Sequence, residues 1–446
     1  MINWFKKKNN VINNEMKLDK KRKEYILDLL DKARKADPNF KQFGAQSHKY
    51  KLKPTISEKE VSEAEKKYNF RLPEDYFWFI TNVGNGGAGP YYGLKPFKVD
   101  NIEYLASLGK ETLLSPMKSQ EEYDNFIEKY EECDDDEYDE LESELWQGLL
   151  YLGTQGCTLN MNIILSGENK GKIMYGDYDR HRPVFAYGNS FIEWYECWLI
   201  ETAKGYDMTW YGGKMPGDEK ELINKYLTCK DDIKLKIQIL FSMMKFEKVS
   251  SETLNILYEH YCTTTNEDER LELFKRLVRF NHPKINQIII DGFDSDEPDK
   301  YVDYIVMYQQ NNFNFWYKIL LDNIEKFSYK CVDSIFWRVF QQCSNVDVND
   351  FLKLLKSNDV NMRAVTLGNL FRFCNTNDYI EEILPMFNDE KIVVNKAIYM
   401  THDSDDKRLI PIYEKILKEY KLENDKEDNF AINYMEKFLE RMKLKA

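Results

Sequence analysis

The chain has few of the features that mark secreted, metal-binding or membrane-spanning proteins. Its eight cysteines lie far apart among 446 residues, with no Cys-x-x-Cys pair and no histidine at zinc-site spacing from any of them. No run approaches the roughly 18 consecutive apolar residues that span a bilayer. The first residues contain no apolar signal segment, and Ile2 stands where N-myristoylation requires glycine. We therefore expect a reduced, cytoplasmic chain without membrane contact or a metal site.

Two segments match nucleotide-binding motifs in part, but neither has the full pattern that nucleotide binding requires. Gly84, Gly86 and Gly89 match the letters G-x-G-x-x-G, but a helical pattern precedes them and Pro90 follows, whereas dinucleotide binding needs a strand before and a helix after. These glycines are typical of a helix end followed by tight turns. Residues 167–172 resemble a phosphate loop faintly and are interpreted as a hairpin turn, because the glycine spacing is too short and no Ser or Thr follows the lysine.

The sequence also has few groups of residues that could act together in catalysis. Asp177, Asp179 and His181 could form a metal or acid–base cluster, but a single histidine in a polar turn is ordinary and no fourth ligand is visible. No nucleophile–base pair is recognisable elsewhere. We expect no enzyme activity and no cofactor.

Charge is unevenly distributed along the chain. Residues 1–54 carry a net charge of about +9, residues 55–205 about −15 and residues 206–446 about −7, within a total of −13. An acidic middle repels phosphate backbones and attracts positively charged surfaces. This pattern argues against nucleic acid as a ligand and favours a basic protein partner.

Hydrophobic periodicity divides the chain into three kinds of segment. Apolar residues at helical spacing predict helices over 19–37, from a Ser57–Glu60 capping box, and from Pro73 to Gly84, and a second capping box at Ser190 opens another helix. Short apolar stretches between turns predict strands at Leu149–Leu152, Thr158–Leu165, Lys172–Tyr175 and Val184–Tyr187.

A cluster of glycine and proline at residues 205–217 marks a change in the hydrophobic periodicity of the chain. Beyond it the pattern is helical, with weak self-similarity between segments 351–370 and 383–400, which predicts stacked helix pairs of the HEAT-like kind or an irregular helical bundle. The predicted organisation is an N-terminal helical extension (1–54), an α+β domain (55–205), a linker (206–217) and an all-α domain (218–446).

Residues 131–144 contain ten carboxylates, including the consecutive Asp134, Asp135, Asp136 and Glu137. Such density repels itself and stays solvated, so a mobile acidic loop is predicted, with these four residues as a docking patch for a basic partner. Calcium binding is the alternative, but no glycine stands at the turn position and the EF-hand alternation is missing.

Several motifs follow one another over residues 55–201, about a third of the chain. They include Leu72, Pro73, Asp75 and Tyr76, then Gly86, Gly87, Tyr91, Tyr92, Gly93 and Leu94, then Gly153 and Gly156, and finally Trp194. In this order the motifs resemble those of the SUKH superfamily, the Smi/Knr-type domain.

The resemblance implies a fold and a function. The fold is an α+β domain with N-terminal helices, a mixed sheet and a closing helix, and the function is that of a non-catalytic binding module. Many bacterial members are immunity proteins that neutralise a cognate toxin, and eukaryotic relatives act as regulatory scaffolds. With the charge pattern, this indicates an immunity protein for a basic toxin such as a nuclease; a scaffold without a toxin partner is the alternative. Tyr91 and Tyr92 join the acidic quartet as candidate contact residues.

Overall fold

The computed structural model describes residues 20–112, 120–179, 181–229, 232–344, 346–423 and 429–444. The first 19 residues of the predicted extension, and with them the expectations about the N-terminus, lie outside this range. The chain divides into two compact units, Met1–Arg276 and Leu277–Ala446.

The first unit begins with helices, continues with a small sheet and ends with helices. Its helices before the sheet are α1 (Lys20–Ala36), α2 (Ala45–His48), α3 (Glu58–Tyr68), α4 (Glu74–Asn82), α5 (Ile102–Ser107), α6 (Gln120–Glu132) and α7 (Asp135–Leu145). The strands are β1 (Leu149–Gly156), β2 (Leu159–Ile164), β3 (Ile173–Asp177) and β4 (Val184–Phe185). After the sheet come α8 (Phe191–Ala203), α9 (Glu219–Thr228), α10 (Ile233–Ser242), a 3₁₀ turn (Met243–Lys245), α11 (Ser251–Thr263) and α12 (Glu267–Arg279), within which the division falls.

The four strands lie in sequence order, and each is antiparallel to its neighbour. The predicted strand positions and the α+β class are confirmed. The sheet differs from the mixed sheet that the resemblance implied, because consecutive strands joined by short turns can pair only antiparallel. Residues 167–172 connect β2 to β3, where the Gly171 N–H donates to the Ile164 carbonyl at 2.8 Å.

Both faces of this sheet are covered. Along β3, Ile173 and Tyr175 enter the main core, whereas Met174 between them belongs to a second, smaller core. Alternate strand residues point to opposite faces, so the alternation places the two cores on opposite sides of the sheet. The main core also takes in α1, α3, α4 and α8, with Trp194 and Tyr195 fully buried.

The second core explains a departure from the sequence analysis. The acidic segment predicted as a mobile loop forms the end of α6 and all of α7. Tyr123 and Leu145 from these helices are buried with Leu149, Ile164 and Met174 of the sheet. Burial of these apolar residues stabilises the helices against repulsion among the carboxylates.

The segment 206–217, predicted as a linker, is packed against the SUKH-like region. The Tyr187 N–H donates to the Gly212 carbonyl at 2.8 Å, and the Tyr211 hydroxyl donates to the Trp194 carbonyl. Gly212 has φ of 81°, and a β-carbon there would lie 2.0 Å from the Tyr175 hydroxyl. Its glycines therefore serve tight turns and close packing rather than an open tether.

In the described residues of the second unit, all regular secondary structure is helical, which agrees with the helical C-terminal region predicted. Its α-helices are α13 (Pro283–Gly292), α14 (Pro298–Tyr308), α15 (Phe313–Asp322), α16 (Tyr329–Arg338), α17 (Asn349–Leu352), α18 (Val360–Leu370), α19 (Ile380–Ile383), α20 (Lys391–Thr401), α21 (Leu409–Glu423) and α22 (Asn429–Leu444). Short 3₁₀ helices separate them at Gln310–Asn312, Ile324–Lys326, Phe340–Gln342, Lys353–Lys356, Thr376–Tyr379 and Leu384–Asn388.

The two segments that are similar in sequence pack on each other in this unit. Helix α18 contacts α20, and Arg363 of α18 donates from Nε and Nη2 to the two carboxylate oxygens of Asp389, at 2.7 and 2.6 Å. A bidentate pair of this kind sets the relative position of neighbouring helices as well as their attraction.

Candidate protein-binding surface

The glycine-rich loop is a tightly folded part of the main core. Gly87 and Leu94 exchange two backbone hydrogen bonds of 2.8 Å, and the buried Asn85 side chain bonds the backbone of Phe97 on both its oxygen and its nitrogen. Gly86 and Gly87 have φ of 91° and 97°. A β-carbon at Gly87 would lie 2.3 Å from the Lys51 carbonyl oxygen, so the loop requires glycine there.

Other glycines of the motif allow this loop to approach its neighbours. A β-carbon at Gly93 would lie 2.3 Å from the Gly87 carbonyl oxygen, and one at Gly153 would lie 2.5 Å from the Gly93 carbonyl oxygen. Leu94 is buried beside them, and the Lys95 N–H donates to the Leu152 carbonyl at 2.7 Å. The loop is thereby held against β1.

The remaining motif residues join α4 to α8 and to the sheet. Asp75 accepts the Tyr76 N–H on one oxygen and the Ile192 N–H on the other, both at 2.9 Å, and so caps the starts of two helices. Tyr76 is buried, with its ring 4.9 Å from that of Phe191. The Trp194 indole donates to the Tyr175 hydroxyl at 3.1 Å.

Leu72 and Pro73 lead into α4. The Leu72 side chain is buried and its N–H donates at 2.9 Å to Glu65, a buried carboxylate that also accepts from Arg71 at 2.8 Å. Pro73 stands at the N-cap position of α4, where the missing N–H costs nothing. These contacts place the motif residues among the packed interior and the helix caps.

Tyr91 and Tyr92 have opposite environments although they are adjacent. Tyr91 is buried, and its hydroxyl donates to the Tyr211 carbonyl at 2.7 Å. Burial raises the pKa of this hydroxyl. Tyr91 therefore offers no ring to a partner, in contrast to its place among the predicted contact residues. Tyr92 is 40% exposed and packs edge-on against Phe43, which is 49% exposed.

Gly156 and Cys157 complete what we call the aromatic patch, which consists of Phe43, Tyr92, Gly156 and Cys157. A β-carbon at Gly156 would lie 3.0 Å from the Tyr92 ring and 3.7 Å from the Phe43 ring, so the turn after β1 lies directly beside both. Cys157 is exposed. The sequence analysis missed Phe43, because nothing local distinguishes one aromatic residue in the N-terminal segment.

The second exposed feature is the acidic hairpin, formed by α6, α7 and the residues between them. Asp134 is exposed and accepts the Glu137 N–H at 3.0 Å, which caps α7, and Glu137 is exposed as well. Asp135 and Asp136 are the first two residues of α7. Over residues 120–145 the sequence has 14 carboxylates and one lysine. The exposed side of the hairpin is therefore strongly negative.

Asp177 and His181 meet without forming a larger cluster. His181 Nδ1 lies 2.7 Å from Asp177, whereas Asp179 contributes its backbone N–H at 2.9 Å. Partial burial acts to raise the pKa of Asp177, but hydrogen bonds from Thr158, the Asp179 N–H and His181 lower it below its ordinary value. Within the described residues, no three histidine, cysteine or carboxylate side chains converge as a metal site requires.

Together these features describe a helix-covered antiparallel sheet with an exposed aromatic patch and a negatively charged helical hairpin. Residues 55–197 match the family model of the SMI1/KNR4 family (SUKH-1). The resemblance predicted from the sequence is confirmed for this SUKH domain, which covers about a third of the chain. No curated protein and no solved structure matches the chain. Among the helices of the described residues, none has the length and apolar character needed to cross a bilayer.

Proposed function

We propose that this protein is a cytoplasmic immunity protein that binds and neutralises a cognate toxin without catalysing a reaction. The match of residues 55–197 to a family of SUKH domains, which are often immunity proteins, supports this function. The observation that carries the choice of partner is the acidic hairpin. A surface of this charge favours a basic toxin, such as a nuclease, and disfavours nucleic acid itself.

The hairpin acts on association before contact is made. Exposed charges attract an oppositely charged protein over distances of about 8 Å, the Debye length at physiological ionic strength. Electrostatic steering of this kind raises the association rate more than it raises the affinity of packed contacts. Glu121, Glu128, Glu131 and Glu140 are exposed on the two helices together with Asp134 and Glu137.

The aromatic patch supplies a different kind of contact. Tyr92 and Phe43 hold each other at a ring-centroid distance of 5.4 Å, so little side-chain freedom is lost when a partner covers them. Exposed aromatic residues are enriched among the few side chains that dominate binding energy. We propose that this patch packs against the toxin. The helical second unit, stacked in a HEAT-like manner, is a second candidate for a toxin contact, considered by itself.

The test needs a candidate toxin, and the candidate to examine first is any secreted toxin-like protein that a neighbouring reading frame encodes. Co-expression of the full-length protein should restore growth of cells that produce the toxin, and binding kinetics at two ionic strengths should show an association rate that falls with salt. Binding without rescue would favour the regulatory scaffold, and the absence of both would contradict the proposal.

The quadruple variant Asp134→Asn, Asp135→Asn, Asp136→Asn and Glu137→Gln should associate roughly tenfold more slowly at low salt and show a flatter salt dependence. Asparagine keeps the N-cap acceptor at residue 134, so α7 is preserved. The matched control replaces four exposed carboxylates of α3 and α4 by glutamine: Glu58, Glu60, Glu63 and Glu74. Equal effects of the two variants would refute a specific role for the hairpin.

A further inference from the structure

A cleft of about 390 Å³ lies in the first unit, between α8 and the segment that leads into α9. This volume is within the range of small-ligand sites. Neither the family motifs nor the surfaces described above account for it. Its walls combine tyrosine rings with carboxylates.

Three tyrosines line the cleft: Tyr25, Tyr187 and Tyr206. Tyr25 is 42% exposed, which leaves its ring accessible to a ligand. The ring of Tyr206 already contacts two cations of the protein, because the ammonium groups of Lys204 and Lys245 lie 5.7 and 5.6 Å from its centroid. Lys204 also lines the cleft, so the ring that is open to a ligand is that of Tyr25. The faces of such rings carry negative electrostatic potential and favour cations.

Five carboxylates line the same cleft. Two of them are buried and paired with cations, Glu196 with Arg22 and Glu201 with Lys245. The other three are held by neutral donors as well. Glu193 accepts the backbone and side-chain N–H groups of Asn189, both at 3.1 Å, and Asp218 and Glu221 form a capping box at the start of α9. These hydrogen bonds orient the carboxylates, and the lining as a whole has five carboxylates against one lysine, Lys204.

The carboxylates of the cleft also act on the pKa values of two of its tyrosines. The pKa of Tyr206 is raised to about 12, first by burial and then by the nearby carboxylates Asp218, Glu201, Glu221 and Glu219. The pKa of Tyr25 is raised first by burial and next by Glu196. Burial disfavours a charge of either sign, so only the contributions of the carboxylates to these pKa values favour a positive group in the cleft.

We propose that this cleft binds a guanidinium group. A guanidinium is planar and weakly hydrated, stacks on aromatic rings and donates two parallel hydrogen bonds to a carboxylate, and the cleft offers both kinds of surface. An ammonium group satisfies only the charge. The carrier is an arginine side chain of the basic partner; this last step rests on the proposed function, whereas the site itself does not.

The experiment measures the binding of n-butylguanidinium to the full-length protein by calorimetry at low ionic strength. We expect a dissociation constant in roughly the millimolar range, as a small ligand with one charged head allows. The control ligand is n-butylurea, which has the same shape without the charge, and it should bind at least about fivefold more weakly. Equal affinity for the two ligands, or no binding of n-butylguanidinium, would overturn the proposal.

Two variants locate the site. Tyr25→Leu removes an accessible ring and Glu193→Gln removes a charge while keeping an acceptor, and each should weaken n-butylguanidinium binding by about three- to tenfold. Glu63→Gln on α3 replaces an exposed carboxylate outside the cleft and should leave binding unchanged. Circular dichroism checks that each variant is folded. Unchanged affinity in both cleft variants would place the ligand elsewhere and refute the assignment.

The source of the guanidinium is tested separately. If an arginine of the toxin enters the cleft, n-butylguanidinium should compete with the toxin and the cleft variants should weaken both ligands. A toxin that binds without competition overturns the arginine carrier and leaves a site for a small cation. If no toxin binds while n-butylguanidinium does, the proposed function fails and the cleft assignment stands.

Discussion

Replacing Lys245 by methionine should destabilise the first unit more than any surface substitution. The Lys245 ammonium donates to Glu201 and, at 2.9 Å, to the Met215 carbonyl, and the two charged residues are only 1% and 4% exposed. Methionine fills a similar volume but leaves the Glu201 carboxylate buried without its cation. Breaking a buried pair by removing one partner costs about 3 to 5 kcal/mol.

This cost is large on the scale of a whole domain, whose stability is roughly 5 to 15 kcal/mol. For a unit of this size it corresponds to a fall in melting temperature of roughly 10 °C. Urea unfolding followed by tryptophan fluorescence should show a lower midpoint with an unchanged slope. The double variant Lys245→Met with Glu201→Leu should recover much of the loss, because no charge then remains buried.

The pH dependence of Lys245→Met gives a second measurement of the same effect. Burial raises the pKa of Glu201 above its ordinary value, and removal of Lys245 raises it further. A carboxyl whose folded pKa is raised stabilises the fold on protonation, so this stability increases as pH falls through the raised pKa. The gap between wild type and variant should therefore be widest near neutral pH and should narrow in acid.

A cost below about 1 kcal/mol, or a gap that stays constant from neutral to acid pH, would refute this account of the pair. The result also bears on the domain boundaries. Glu201 and Lys245 lie on either side of residues 206–217, so a large effect in one cooperative transition would show that the predicted SUKH domain does not fold independently at residue 205. Independent folding of residues 55–205 and 218–446 stays a prediction that limited proteolysis also tests.

Three further predictions concern other parts of the chain. Gly86→Val should lower the stability of the first unit by about 1 to 3 kcal/mol in thermal unfolding without any ligand, because φ is 91° and a β-carbon would lie 2.8 Å from the Pro96 nitrogen. An unchanged melting temperature would contradict a structural role. Burial lowers the pKa of His48 to about 4, below its ordinary value of 6.5. The neutral side chain therefore stabilises the fold above pH 6.5, and the unfolding free energy should fall by about 3 kcal/mol as pH drops towards 4. His48→Gln should make the unfolding free energy less dependent on pH over this range. Arg363→Met should lower the unfolding free energy of the second unit by about 1 to 3 kcal/mol at neutral pH, because the side chain of Asp389 is largely buried. Since Arg363 lowers the pKa of Asp389, the stability difference between wild type and variant should persist down to about pH 4 and disappear only below it. A difference that disappears at a higher pH would contradict the pairing.

Local patterns were sufficient for much of the SUKH domain. The strands were predictable because short apolar stretches and the turns between them are local features, formed by residues close together in the chain. Helix starts were predictable as well, but not always their hydrogen bonds. Ser57 stands at the N-cap of α3 with extended backbone as predicted, yet its side chain accepts no capping hydrogen bond. Ser190 does accept the Glu193 N–H, while Glu193 reaches back to Asn189.

Tertiary packing decided the rest. The charge of residues 131–144 was evident from the sequence, but their helical state depends on Tyr123 and Leu145 being buried against the far face of the sheet. Tyr91 and Tyr92 are adjacent residues of the same type, so local sequence does not distinguish them. In the fold, Tyr91 is buried and bonds to Tyr211, whereas Tyr92 stays exposed to a partner. The cleft brings together Tyr25 and Asp218, far apart in the chain. Sequence determined which groups are available, and long-range contacts decided which of them meet, because local propensity carries no information about neighbours distant in the chain.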